Sequence, residues 1–317
     1  VINILVPLDG SPSAEEAVSH AVLIAKTFSA EITLLRVIAE PETNTPVRSD
    51  SVDLALWGHQ AQSYLNRLIK KYGTEGVSLR AIVEEGDPAK TISQYLRKID
   101  VDLLVLTRYG RGNADDFIAG GTAQKIISNA NCSILLLDPR KSFDSKKGYQ
   151  RILVPIDDSK DSDCSVAVAA MMAEISGASL LLLYVVETSD LPRTMPDTRH
   201  SRQLIGELYR LLEQEAQKRL QELSNKVSKQ LEVETRVLIA RNLPISIESA
   251  AEDYNSDLLL LHSNGANGDV HQEYSSVNQS LIRFSHRPLL IMRSPTKEGR
   301  ASNFRCVYLN DQHLEAG

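Results

Sequence analysis

Short apolar runs separated by longer amphipathic stretches set the pattern of this chain. The runs Ile4-Leu5-Val6, Ile32-Thr33-Leu34-Leu35, Leu103-Leu104-Val105-Leu106 and Ile134-Leu135-Leu136-Leu137 are continuous, with no polar alternation beyond a single threonine. Strands buried on both faces of a parallel sheet read this way, because helices cover each face. Between the first two runs, Ala14, Ala17, Val18, Ala21, Val22 and Ala25 follow the spacing of one helix face. Pro12 suits the first turn of that helix, with Ser11 as its N-cap. Pro88 and Pro244 each open a further helix. Residues 203–227 form a long helical candidate with leucines three, four or seven apart.

The pattern predicts strands near 2–8, 31–38, 77–84, 102–108 and 133–138, with helices over 13–28, 52–71, 88–98 and 120–129. It predicts a second set of strands near 151–157, 179–186, 232–240, 257–262 and 288–293. Such strand–helix alternation requires right-handed crossovers, and the expected fold is α/β: two tandem, doubly wound, five-stranded parallel sheets.

The second set repeats the first. Residues 4–11, ILVPLDGS, return at 152–159 as ILVPIDDS, an offset of 148. Residues 32–38 return at 180–186 with the same offset. Gly86-Asp87-Pro88 answers to Asn242-Leu243-Pro244 at an offset of 156, and the last two strands return at 155. Shifts this small are what loop-length changes leave between duplicated domains, and two repeats of this size are globular domains, not solenoid units. The expected organisation is domain 1 over 1–138, a polar Lys-containing linker over 139–150, domain 2 over 151–293 and a tail over 294–317. Residues 304–309 could add a strand.

Composition narrows the function. The net charge of −6 offers no basic footprint for nucleic acid. Cys132, Cys164 and Cys306 are too scattered for a disulfide framework or a structural zinc site, so a reducing, cytoplasmic setting is expected. No apolar run approaches the ~18 residues that cross a bilayer, so this segment is not expected to insert in a membrane. The first residue is Val1, which leaves room for a longer parent chain, such as a membrane transporter with this segment as its cytosolic regulatory tail.

In a doubly wound sheet, ligands bind where the strand order reverses, at the carboxyl ends of the strands. Asp9 ends the first strand there. Thr107 ends the fourth, and Gly110, Gly120, Gly121 and Thr122 follow just where a helix should begin. Glycines let amide groups approach an anion closely, and a helix N-terminus adds free N–H groups and its dipole. No P-loop, no GxGxxG after the first strand and no GxSxG elbow is present. No catalytic residue is assigned, and slow ATP hydrolysis is the most that is expected. Asp157-Asp158 imitates a phosphoacceptor pair, but the Asp and Lys that such a receiver needs after later strands are missing. His262 and His271 lack a third ligand, so no metal site is expected.

Residues 4–11, Gly86-Asp87-Pro88 opening a helix, and Gly110 followed after nine residues by Gly120 resemble the universal stress protein family. The resemblance implies an adenine nucleotide alpha hydrolase-like fold with sheet order 3-2-1-4-5, and ATP as ligand, with or without Mg. Nucleotide-binding members carry the loop G-x-x-G-x9-G-(S/T). Here Thr107 takes the first glycine position, Gly110 and Gly120 keep the second and third, and Gly121 takes the hydroxyl position with Thr122 one step later. The resemblance places Asp9 and Val37 on the ribose and adenine side, Pro7 and Leu8 along the base, and Gly110, Gly120, Gly121 and Thr122 on the phosphates. Domain 2 offers Asp157, Val185, Gly265, Ser275 and Ser276 instead, and is expected to bind more weakly, the more so if Ser275 must adopt a positive φ. The implied role is non-catalytic nucleotide-dependent stress sensing. The alternative is an interaction module that has lost the nucleotide. The family pairs through its last strand, so 134–137 and 289–292 are expected to form an edge pair, either within the chain or in a homodimer.

Overall fold

The computed structural model describes residues 1–39, 51–109, 121–140, 143–159, 161–188, 198–227, 229–263 and 275–293. Two compact units result. The first comprises Val1–Gly148 together with described residues 286–293, and the second comprises described residues 149–263 and 275–285.

The first unit runs β1 (Asn3–Leu8), α1 (Pro12–Phe28), β2 (Glu31–Ile38), α2 (Ser51–Tyr72), β3 (Ser78–Glu85), α3 (Pro88–Lys98), β4 (Leu103–Thr107), α4 (Gly121–Asn129) and β5 (Ser133–Leu137). The second runs β6 (Arg151–Ile156), α5 (Asp161–Ser176), β7 (Ser179–Glu187), α6 (Arg199–Lys226), β8 (Val233–Ala240), α7 (Leu243–Asp253), β9 (Leu258–Ser263) and α8 (Ser276–Phe284). β10 (Leu289–Arg293) closes the described chain.

β1, β2, β3, β4 and β5 are parallel in the order 3-2-1-4-5. Strands β6 to β9 repeat the first four places as β8-β7-β6-β9. β10, the sequence counterpart of β5, lies in the first unit and pairs antiparallel with β5, with Leu289 opposite Leu136 and Ile291 opposite Ile134. The edge pair read from the sequence therefore forms within the chain. Arg293 fixes its end: its backbone N–H donates to Ser133 Oγ at 3.3 Å and its guanidinium to the Ala130 carbonyl.

Strand interiors explain the continuous apolar runs. Leu5, Val6, Ile32, Leu34, Leu35, Leu103, Leu104 and Ile134 are fully buried, as are Leu153, Val154 and Leu180 to Leu183 in the second unit. α1 packs across β1, β2 and β4, α2 lies on β2 and β3, and α3 packs against α4. Trp57 is only half-buried on α2, where Ala61, Leu65, Leu68 and Tyr72 form the buried stripe. Among the described residues no helix is long and apolar enough to cross a membrane.

The helix starts are written in side chains. Ser11 caps α1 by accepting from the Ala14 N–H at 3.1 Å, and Asp87 caps α3 by accepting from Lys90 at 2.8 Å. Asn242 does the same for α7 with Ile245. By capping role Asp87 therefore matches Asn242, an offset of 155 rather than 156, and the proline moves one place further into the helix. Gly86 has φ +133°, and an added Cβ would lie 2.9 Å from Thr91 Oγ1, so this turn needs glycine. α6 starts at Arg199, four residues before the sequence reading placed it, because Thr198 supplies the cap by accepting from Ser201.

An aspartate beneath each central strand sets its start. Asp102, buried before β4, accepts the Asn3 N–H at 2.8 Å. Asp257 does this twice, for Gln150 at 2.7 Å and Arg151 at 3.0 Å. Asp102→Ala should cost roughly 1–3 kcal/mol, because it leaves a part-buried N–H without its acceptor. Urea unfolding would read this as a lower midpoint at unchanged slope.

Phe143 stacks on His20 of α1 with ring centroids 3.7 Å apart, and the Phe143 N–H donates to Glu16. Burial drives the His20 pKa down to about 3. The folded state then holds fewer protons than the unfolded state between about pH 3 and the ordinary histidine value of 6.5, so stability falls as pH drops through that window. Relative to pH 8, wild type should lose about 2 kcal/mol by pH 5 that His20→Leu does not lose, measured by urea unfolding across pH.

Candidate functional site

β1 follows β2 along its whole length, from Asn3 opposite Glu31 to Leu8 opposite Arg36. β4 follows β5 just as fully, from Leu103 to Thr107. Between themselves, β1 and β4 pair only at Ile4 and Leu5. Beyond Leu5 the two central strands part at the point where the strand order reverses. Pro7 falls in the parted segment, where the lack of an N–H breaks no ladder toward β4. β6 and β9 repeat this, pairing only at Ile152 and Leu153 ahead of Pro155.

The carboxyl ends flanking this opening carry the sequence candidates. Leu8 is buried and Asp9 half-buried at the end of β1, Val37 is buried near the end of β2, and Thr107 is half-buried at the end of β4. Gly121 and Thr122 form the first turn of α4, both exposed. Gly110 and Gly120 lie outside the described residues, as do Gly265 and His271.

Asp9 is oriented by the cap it supports. Its Oδ1 accepts from the Ser11 N–H at 2.8 Å and the Ser11 hydroxyl at 2.6 Å, and Gly10 between them has φ +80°. Arg36, on the neighbouring β2, donates to the Leu8 carbonyl at 3.0 Å. Tyr64 of α2 faces the same corner: burial above all, then Glu15 and Asp9, push its pKa up, while Arg36 and Arg67 oppose them. Arg67 lies over the Tyr64 ring at 5.4 Å and donates to Glu15 at 3.1 Å.

The second unit builds this corner differently. Asp157 is exposed, and its Oδ1 accepts from the Ser159 N–H and from the hydroxyls of Ser159 and Ser162. Asp158 replaces Gly10 and does not take a positive φ. Tyr184 stands at the place of Arg36, and burial followed by its hydrogen bond to Asp158 raises its pKa to about 12. The buried stripes Ala61, Leu65, Leu68, Tyr72 and Ala216, Leu220, Leu223, Val227 align α2 with α6, which sets Arg219 at the place of Tyr64. Arg219 donates to the Ser159 carbonyl at 3.3 Å and to Asp163 at 2.5 Å, and Lys226 also pairs with Asp163. An arginine on the second strand and a tyrosine on the helix have thus become a tyrosine on the strand and an arginine on the helix. Sequence reasoning missed this exchange; the aligned buried stripes were the signal that could have found it.

Ser275, at the position of Gly120, has φ −51° and caps α8 by accepting from the Asn278 N–H at 3.3 Å. The strain expected of a positive φ is not there. Ser276 is exposed in the first turn, Val185 is half-buried, and buried Asn278 donates to the His262 carbonyl. Among the described residues no three His, Cys, Asp or Glu side chains come together as a metal cluster.

Fold and seam together define a duplicated, doubly wound α/β protein whose central strands pair over only two residues in each unit. Comparison with known proteins agrees. The model of the Universal stress protein family matches residues 2–138 and again 148–293. The chain belongs to the universal stress protein family, as a tandem member. A universal stress protein of Methanocaldococcus jannaschii is 30% identical over 141 residues, covering 44% of this chain and 83% of that protein. A putative universal stress protein of Staphylococcus aureus is 30% identical over 139 residues, covering 43% and 82%. The crystal structure of a universal stress protein from Archaeoglobus fulgidus superposes with TM-score 0.62 at 18% identity, over 92% of this chain and 98% of that one.

The Ser275 geometry makes a specific expectation. Ser275→Ala should destabilise by about 1 kcal/mol through loss of the cap, and Ser275→Gly by only a few tenths. A gain in stability for the glycine variant, by thermal or urea unfolding, would mean the residue is strained after all.

Proposed function

We propose that the first unit binds an adenine nucleotide and that the protein senses rather than transforms it. The observation that carries this reading is the parting of β1 from β4 beyond Leu5, flanked by Asp9 on one side and by the open first turn of α4 on the other. The residues present fit the group. Exposed Gly121 and Thr122 at the start of a nine-residue helix offer N–H groups and the positive end of a dipole to phosphate. Pro7, Leu8 and Val37 offer an apolar wall for the base, and Asp9 an acceptor for ribose hydroxyls. Gly110 and Gly120 keep two of the three glycines of the family's loop in sequence, with Thr107 at the place of the first.

The second unit does not fit as well. Its aspartate is engaged by two serines, its α8 N-terminus is capped by its own Ser275, and Asp158 stands where Gly10 allows a tight turn. One nucleotide per chain is therefore the expected stoichiometry. A cytoplasmic location is part of this proposal, and the nucleotide binds with or without Mg. Homodimerisation through the last strand is not favoured, because β10 already occupies the edge of β5.

Calorimetric titration of the full chain with ATP is expected to show one site, and Gly120→Val, which puts a branched side chain into the phosphate approach, is expected to abolish it. Absence of heat up to millimolar ATP would overturn the proposal, and unchanged affinity in the variant would remove the glycine loop from it.

A further inference from the structure

The Tyr64 hydroxyl is buried and has no hydrogen-bond partner among the described residues. A buried hydroxyl without a partner costs roughly 1–3 kcal/mol, and the cost is recovered by whatever supplies the partner. The ring carrying it lines an open surface pocket of about 460 Å³, with the exposed side chains of His59, Gln60, Ser63 and Arg67 as the other lining among the described residues. The same side chain is electrostatically coupled to Asp9 and Arg36, so pocket and strand end share one corner.

The second unit supplies the internal control. There the tyrosine of the exchanged pair, Tyr184, has its hydroxyl bonded to Asp158, and the arginine, Arg219, is held by Ser159 and Asp163. In the second unit chain groups bond the tyrosine hydroxyl and one guanidinium nitrogen of Arg219, whereas in the first the tyrosine hydroxyl is left without a partner among the described residues. The unpartnered hydroxyl lies in the unit whose loop keeps two of the family's three glycines, Gly110 and Gly120.

We infer that Tyr64 is a ligand contact of the first unit, hydrogen-bonding a polar group of the nucleoside half of an adenine nucleotide whose ribose lies against Asp9. This rests on the nucleotide reading of that unit. α2 follows β2, whose Val37 stands on the adenine side, so the nucleoside and not the phosphate chain reaches Tyr64. The group it meets is a ribose hydroxyl or the polar edge of the base. Tyr64 then selects ligands that bring such a group, because a ligand without it leaves the hydroxyl buried and unpaired.

The test is calorimetry of ATP, 2′-deoxy-ATP and inosine triphosphate on wild type, Tyr64→Phe and Tyr184→Phe. Tyr64→Phe is expected to bind ATP about 5–10-fold more weakly, the worth of one neutral hydrogen bond, with an unliganded melting temperature no lower than wild type. One of the two analogues should lose affinity on wild type and lose nothing further on Tyr64→Phe, which identifies the group as sugar or base. Tyr184→Phe should lower the melting temperature and leave ATP affinity unchanged. If wild type binds ATP and Tyr64→Phe binds it equally, the inference fails while the nucleotide reading stands. If wild type binds no ATP, both fail.

Discussion

The parting of the two central strands is the constraint on which the rest of this protein depends. β1 belongs to a β1-β2-β3 half and β4 to a β4-β5 half, and the halves are joined through two residue pairs only. Fixing that narrow seam takes Asp102, which reaches under it to hold the Asn3 N–H. With the seam pinned at its lower end, the upper end is free to open, and Pro7 closes no ladder across it. Asp9, the Arg36–Leu8 contact and the start of α4 gain their meaning from this opening, since in a fully paired sheet their ends would meet strand instead of space.

The two units keep the scaffold and divide the chemistry. Each has the short seam, the proline and the aspartate beneath it. They differ in where polar groups find partners. In the second unit Asp157 collects two serine hydroxyls, Asp158 takes Tyr184, Arg219 takes Ser159 and Asp163, and Ser275 caps its helix. Every such bond is one that an incoming ligand would have to break, so a closed polar network opposes binding without any change of fold.

Much of this was legible in the sequence, for a physical reason. Strands buried on both faces leave continuous apolar runs, which mark every strand except the half-exposed β3 and β8, and all ten were placed within two residues of the structure, from Asn3–Leu8 to Leu289–Arg293. Caps made by side chains were legible too, as at Ser11 and, apart from one residue of register, at Asn242. Thr198 was overlooked because the leucine spacing begins only later, at Leu204. The sign of φ at Ser275 was not legible, since a serine can either endure a glycine's turn or turn it into a cap. The site was legible residue by residue along β1 and β4, which the repeat itself marks. Tyr64 was not, because its helix is matched to its counterpart through burial and not through identical letters.

That last gap shows how the duplicated corner diverged. Arg36 and Tyr64 in one unit, Tyr184 and Arg219 in the other, put one cation and one phenol beside the same aspartate from opposite elements. The exchange keeps one cation and one phenol at each corner, while Asp158 at the place of Gly10 adds a negative charge to the second. Directionality is not preserved. An arginine on the strand donates to the Leu8 carbonyl beside it, whereas an arginine on the helix reaches across to Ser159 and Asp163 and ties helix to loop. The first arrangement leaves the corner open, the second closes it, and the difference between a receptive and a structural copy can be made by where the two side chains are anchored.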